Sequence, residues 1–170
     1  MQQKESLSSK LHIARDRLDE AGVHWTVFAG AAAYCYGSER RVTDVDILVR
    51  AVDLEKAKDA LKDIEGFDVV ADLKINVNEE ICLFFMDNEM EAKIQRRRLL
   101  DVEIPVIPIE DNIVFKAILQ RTEKQGKHDI EDIQCMMKNE KIDIKYLKRR
   151  IIKYHAEKRV KPLLQRLRIL

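Results

Sequence analysis

Apolar positions change their spacing from one segment of the chain to the next, and the spacing predicts the elements. Leu7, Leu11, Ala14 and Leu18 recur at intervals of three and four, the period of one helix face. Gly22 follows where a left-handed C-terminal cap belongs. Residues 23–28 (VHWTVF) are β-branched and aromatic and predict a strand. Gly30 ends it, and Ala31 to Tyr36 opens a short helix that Gly37 breaks. A polar loop, SERRVT at 38–43, leads to DVDILV at 44–49, a second strand. Asp53 reads as the N-cap of a helix whose buried stripe is Leu54, Ala57, Leu61 and Ile64, stopped at Gly66. Short apolar runs at 67–71, 73–77 and 81–86 read as strands, the last two turned against each other by Asn78-Glu79-Glu80.

Asn88 to Leu99 has a helical look and ends in Arg96-Arg97-Arg98. Residues 102–107 read as extended, with Pro105 and Pro108 confining that strand to an edge or cutting it short. Three helices follow. Glu110 to Arg121 carries Ile113, Ala117 and Leu119, and Asp129 to Lys138 comes after a loop at Gly126. Asp143 caps the third, with Ile144, Leu147, Ile151 and Tyr154 inward and Pro162 ending or bending it. The order is helix, mixed centre, then helices alone. It predicts an α+β fold: a small mixed β-sheet flanked by helices, with a helical C-terminal part. Residues 1–108 form the α/β core with its N-terminal helix, and 109–170 the helical part, packed on the core as one unit.

At 170 residues, 46% hydrophobic and 36% charged, the chain has the material for one real core. A formal net charge of +1 hides a split. Residues 141–170 hold 11 Lys/Arg against 2 Asp/Glu, and residues 1–140 hold 20 against 28. A uniformly basic nucleic-acid coat is excluded; a basic tail that meets RNA is not. No apolar run nears the ~20 residues that span a bilayer, and the polar start MQQKESLSSK lacks a signal-peptide pattern. Cys35, Cys82 and Cys135 are too scattered for a disulfide framework, and four scattered histidines form no metal motif. The expected setting is cytoplasmic, with no membrane partner.

The sharpest chemistry is Asp44-Val45-Asp46 after a glycine turn. Residues i and i+2 of a strand share a face, about 6.6–7 Å apart, so the two carboxylates repel unless a cation lies between them. A hard divalent ion such as Mg²⁺ suits oxygen ligands. Upstream, a strand that ends at glycine and feeds a helix leaves backbone N–H groups free for phosphate. Together they point to nucleoside triphosphate chemistry.

The phrase FAGAAAYCYGSERRVTDVDILV resembles the nucleotidyltransferase superfamily of the DNA polymerase beta type. It is most similar to the small prokaryotic branch of kanamycin nucleotidyltransferase-like and toxin–antitoxin-associated members. Residues 104–116 (IPVIPIEDNIVFK), Arg121 and the run KHDIEDI at 127–133 extend the resemblance over roughly 23–138. It implies that Gly30 and Ala31 form the phosphate-binding turn and that Asp44 and Asp46 are catalytic and hold Mg²⁺. It also implies that Lys116 and Arg121 reach phosphate oxygens, with Ser38, Arg41 and Thr43 in the nucleotide-binding loop. The donor would be a nucleoside triphosphate, ATP first. Two departures stand out. Ala31 replaces the usual serine or second glycine. The third carboxylate expected from a neighbouring strand aligns with Cys82 in 81–86, with Glu79, Glu80, Asp87, Glu89 and Glu91 near its ends.

The remaining candidates have plainer readings beside the functional ones. Lys116 suits a solvated helix face, Asp129 and Asp132 suit first-turn acids favourable to a helix dipole, and Trp25 suits the core. Arg40 and Arg41 either steer phosphate or lie on the surface. The arginine triplet and the basic tail (Lys148-Arg149-Arg150, Lys158-Arg159, Lys161, Arg166, Arg168) either meet RNA or match acids elsewhere. The apolar end, Leu163 to Leu170, packs on the body or docks a protein partner or second copy. Two functions follow: a Mg²⁺-dependent nucleotidyltransferase acting on a hydroxyl, or a catalytically degenerate binding module, antitoxin-like or regulatory.

Overall fold

The computed structural model describes residues 6–170; the first five positions of the polar N-terminal stretch lie outside them. Helix α1 (Leu7–Glu20) buries Leu11, Ala14 and Leu18, and Gly22 follows its end with φ 69°. Strand β1 (Trp25–Phe28) is buried at all four positions, Trp25 included. It runs into α2 (Ala29–Cys35), and the polar loop then leads to β2 (Val45–Val49). Helix α3 (Leu54–Leu61) connects β2 to β3 (Phe67–Val70). Asp53 does not cap α3. A 3₁₀ turn at Ala51–Asp53 already gives it helical dihedrals, and its carboxylate accepts from the His24 N–H at 3.2 Å.

Strands β4 (Leu73–Val77) and β5 (Glu80–Phe84) form a hairpin, with Asn78 and Glu79 both at positive φ. The hairpin is a separate two-stranded sheet. The next segment corrects the helical reading of 88–99. Only α4 (Asn88–Glu91) is helical, and Gln95–Leu99 is β6, paired antiparallel with β7 (Val102–Val106). A two-residue turn joins them, with Leu100 at φ 57°. Pairing outweighs the helix propensity of Gln, Arg and Leu, because β6 completes the sheet edge that β7 would otherwise leave open.

The main sheet runs in the order β3-β2-β1-β7-β6. β1 is antiparallel to β2 and parallel to β7, and β2 is parallel to β3. Thus β7 is an inner strand despite Pro105. Its ladder to β1 is confined to Val27↔Val106, beyond the proline, so the absent N–H sits outside that pairing.

Helix α5 (Ile109–Leu119) is the hub of the helical part. It packs against α2, α6 (Asp129–Asn139), α7 (Ile144–Lys153), α8 (Glu157–Arg166) and β4. Ile109 to Ile118 are all buried, and four of those residues are strongly polar: Glu110, Asp111, Asn112 and Lys116. Each has a hydrogen-bonded or ion-paired partner outside α5, as buried polar groups require. Glu110 accepts from the Asp143 N–H at the start of α7 (2.8 Å). Asp111 accepts from Arg150 Nε (2.7 Å) and from the hydroxyls of Tyr146 and Tyr154. Asn112 reaches Ala29, and Lys116 reaches α6.

Asp143 caps α7 through the Tyr146 N–H (3.0 Å). The inward set is Tyr146, Leu147, Arg150 and Ile151, while Ile144 is exposed. The chain breaks at His155 (φ 53°), before Pro162, which sits inside the separate helix α8. Leu163 and Leu164 are buried, and Leu167, Ile169 and Leu170 pack partly buried on the core. The apolar end therefore covers the body of its own chain. No helix among the described residues is long and apolar enough to cross a membrane.

Candidate active site

A cleft of about 520 Å³ opens where β1 hands over to α2. Its floor is Phe28, Ala29 and Gly30. Ala29 has φ 58°, a left-handed conformation that a Cβ disfavours by roughly 1–2 kcal/mol. The Asn112 amide holds it from both sides. Its Oδ1 accepts the Ala29 N–H (2.7 Å) and its Nδ2 donates to the Ala29 carbonyl (3.1 Å). Gly30 is exposed, and a Cβ built on it meets nothing within 4 Å, so the cleft lies directly over it. Ala31 is 1% exposed and belongs to the core. The residues of this turn that meet the cleft are Ala29 and Gly30, not Gly30 and Ala31. The alanine at 31 removes no hydroxyl from the cleft, because its side chain faces away.

One wall is acidic. Val45 and Ile47 are fully buried while Asp44 and Asp46 open on the cleft, the alternation expected of a strand. The parallel register of β2 with β3 sets Asp46 opposite Asp68, which lines the same cleft. This corrects the search for a third carboxylate on 81–86. That segment lies in the separate hairpin, and Cys82 is fully buried with its thiol against the His155 carbonyl (3.6 Å). Asp87, Glu89 and Glu91 are engaged by arginines, and Glu80 pairs with Lys158. The neighbouring strand is β3, because a strand–helix–strand unit returns parallel beside its first strand. Burial raises the Asp46 carboxyl above its ordinary value, Asp68 raises it further, Lys127 and Arg121 oppose the shift, and Asp44 adds to it.

The opposite wall is basic, and it is built on two buried aspartates at the start of α6. Lys116 is 3% exposed, with Nζ 3.0 Å from Asp129 Oδ1 and 2.8 Å from Asp132 Oδ2. Arg121 grips Asp129 through Nε (2.9 Å), Nη2 (3.2 Å) and its own backbone N–H (2.8 Å). Arg40 pairs with Asp132 and donates to the His128 carbonyl (3.3 Å), and the Ser38 hydroxyl donates to Asp132 (3.0 Å). Burial works against the Asp129 charge, but hydrogen bonds from Arg121 and the charge of Lys116 hold its carboxyl below the ordinary range. Asp129 and Asp132 are thus the seats of three cations rather than dipole-favoured surface acids. His128 occupies the N-cap position of α6, and its side chain makes no cap bond.

Gly30, Ser38, Arg41, Thr43, Asp44, Asp46, Lys116 and Arg121 all line this one cleft. Thr43 Oγ1 lies 3.5 Å from Asp44. The sequence reading missed Asp68 and the Ala29–Asn112 clamp. The signal for Asp68 was present as F-D-V-V following a helix that follows the Asp-x-Asp strand. Nothing in the sequence marks Asn112.

The basic segments lie elsewhere and are partly consumed. Arg150 is fully buried between Asp111 and Asp87, Arg149 pairs with Glu89, and Arg97 pairs with Glu140 and stacks over Tyr36. Among the described residues no three His, Cys, Asp or Glu side chains are grouped so as to hold a metal ion by themselves.

No protein-family model matches the sequence, and no curated protein resembles it closely enough to count as a relative. Solved structures do match. The solution structure of the antibiotic-resistance factor ANT(2'')-Ia aligns with a TM-score of 0.58 at 9% identity, over 88% of this chain and 91% of that one. The crystal structure of ANT(2'')-Ia in complex with adenylyl-2''-tobramycin aligns with a TM-score of 0.55 at 12% identity, over 88% and 97%. Such identities speak for architecture alone, and the architecture runs nearly end to end in both proteins: this chain shares the fold of ANT(2'')-Ia.

Proposed function

We propose that the protein is a Mg²⁺-dependent nucleotidyltransferase that moves a nucleoside monophosphate from a nucleoside triphosphate, ATP first, to a hydroxyl acceptor. The observation that carries this reading is the cleft itself, with Asp44, Asp46 and Asp68 on one wall facing Lys116, Arg121 and Arg40 on the other. The shared fold with ANT(2'')-Ia supports it.

The donor set fits Mg²⁺. Carboxylate oxygens are its preferred protein ligands, and it is held by one or two carboxylates plus phosphate oxygens rather than by a dedicated cage. Burial first, and then the neighbouring Asp68, raise the Asp46 carboxyl, so its ionised form is disfavoured where a cation would relieve it. Asp44 and Asp46 would hold the ion. Bound there, it would neutralise triphosphate charge and lower the pKa of the acceptor hydroxyl.

The chain's own groups do the rest. Gly30 leaves the floor open for phosphate, and the first-turn amides of α2 have no helical partners of their own. Lys116, Arg121 and Arg40 outnumber the two aspartates that seat them, so that wall keeps positive charge for the departing pyrophosphate. Asp68 takes the proton of the acceptor hydroxyl. The freed oxygen bonds to the α-phosphorus, the bond from that phosphorus to the bridging oxygen breaks, and pyrophosphate leaves.

A degenerate binding module was suggested by Ala31 and by the thiol of Cys82. Ala31 in the core and Asp68 at the cleft favour the transferase reading over that one. The test is pyrophosphate release from ATP and Mg²⁺ with a panel of hydroxyl-bearing acceptors, tobramycin among them. Wild type should release it, and Asp68→Asn should slow release by about 10²-fold or more with ATP binding kept. Undiminished release by the variant contradicts the role of Asp68. Neither release nor ATP binding by wild type contradicts the whole reading.

A further inference from the structure

The cleft floor rests on a residue that prefers another conformation. Ala29 lies in the left-handed region (φ 58°), is 4% exposed, and is neither glycine nor asparagine. Left alone, an alanine there reverts to extended or right-handed backbone, and that rotation would swing Gly30 away from the cleft. Asn112 is the counterweight. It is fully buried at the fourth position of α5, inside the helix, where asparagine has no intrinsic advantage. Its carbonyl oxygen and its amide nitrogen both go to the backbone of this single residue, at 2.7 and 3.1 Å. The asparagine amide carries an acceptor and a donor on two separate terminal atoms, so it can accept from an N–H and donate to a C=O at once; leucine offers neither and an ionised aspartate offers acceptors alone. The same Nδ2 also lies 3.5 Å from Met136 Sδ on α6, so the clamp is itself held from behind.

We propose that Asn112 is the positioning residue of the phosphate-binding turn. It locks Ala29 left-handed and thereby presents Gly30 and the start of α2 to the triphosphate, without touching nucleotide itself. The role rests on the nucleotidyltransferase reading for its catalytic consequence, but the backbone lock stands independently of it.

The test is a rescue. Asn112→Leu keeps the volume and removes the clamp. It should lower kcat/KM for ATP by about 10–100-fold, the effect of misplacing a binding group by about an ångström. Ala29→Gly abolishes the side-chain penalty at the strained position, so Asn112→Leu/Ala29→Gly should recover most of the loss. As a control, Leu18→Ala, a core truncation in α1, should not be rescued by Ala29→Gly. Hydrogen exchange of the Ala29 amide, slow in wild type and fast in Asn112→Leu, reads the lock without any reference to activity. Full activity in Asn112→Leu, or no recovery on adding Ala29→Gly, overturns the positioning role. An unchanged Ala29 exchange rate overturns the lock. Loss of Ala29 protection in a chain whose wild type neither binds ATP nor releases pyrophosphate leaves the lock standing and overturns its catalytic role together with the transferase reading.

Discussion

Asp46 illustrates how the site is built against stability. Its folded-state carboxyl titrates above the ordinary carboxylate value, first through burial and then through Asp68. The folded chain therefore keeps this proton to higher pH than the unfolded chain does. The stabilising effect is present at low pH and is lost as pH rises from the ordinary value through the raised one; above that window the ionised group costs stability. Asp46→Asn should accordingly raise the melting temperature at pH 7, on the order of a few degrees, while destroying activity. The gain should shrink as pH falls through the same window. A melting temperature at pH 7 equal to or below that of wild type would contradict it.

Gly30 makes the same point. It stands in the first turn of a helix with open space where a Cβ would go. Gly30→Ala should stabilise the fold by about 0.5–1 kcal/mol, whereas Gly30→Leu should weaken ATP binding by filling the floor of the cleft, both readable by denaturation and calorimetry. The Asp-x-Asp pair was legible from alternation alone. Ala29 was not, because an alanine at positive φ looks like any other alanine until its tertiary clamp is seen.

Among the elements, α5 decides most. A helix that buries its whole circumference usually reads as apolar throughout; this one carries Glu110, Asp111, Asn112 and Lys116 inward as well. The Asp111–Arg150 pair, with Tyr146 and Tyr154 on the same carboxylate, ties α5 to α7. Asp111→Ala leaves the buried Arg150 with Asp87 as its close carboxylate partner and takes the acceptor from the buried hydroxyls of Tyr146 and Tyr154, and should cost about 3 kcal/mol in chemical denaturation; a loss under about 1 kcal/mol would show that the network carries little. The apolar stripes of α1 and α3 and the turn between the β4 and β5 strands were readable from sequence; the positive φ of Asn78 and Glu79 was not. Arg150 was taken for part of a basic tail because charge composition says nothing of burial. The β6 strand was taken for a helix because its evidence is the pairing partner across Leu100, and no glycine or asparagine marks that turn. Asp68 escaped for a related reason: it is found from the parallel return of β3 beside β2, which is topology rather than local pattern.

For the molecule as a whole, the mixed sheet and the helical C-terminal part were legible in the order of the elements, and the structures of ANT(2'')-Ia share that architecture. The charge split was legible too, but not its use: part of the basic C-terminal region is spent on Asp111, Asp87, Glu89 and Glu80 of the same chain. The apolar end covers its own core. What distinguishes the molecule is the cleft in which acids and cations line the end of β1.

That arrangement is tested most directly by calorimetric titration of ATP in the presence of Mg²⁺, comparing the wild-type chain with Asp44→Asn/Asp46→Asn. The account predicts saturable binding by wild type that requires Mg²⁺, and a loss of at least about tenfold in affinity in a variant that melts no lower than wild type. Equal affinity in the two proteins, or binding indifferent to Mg²⁺, would contradict it.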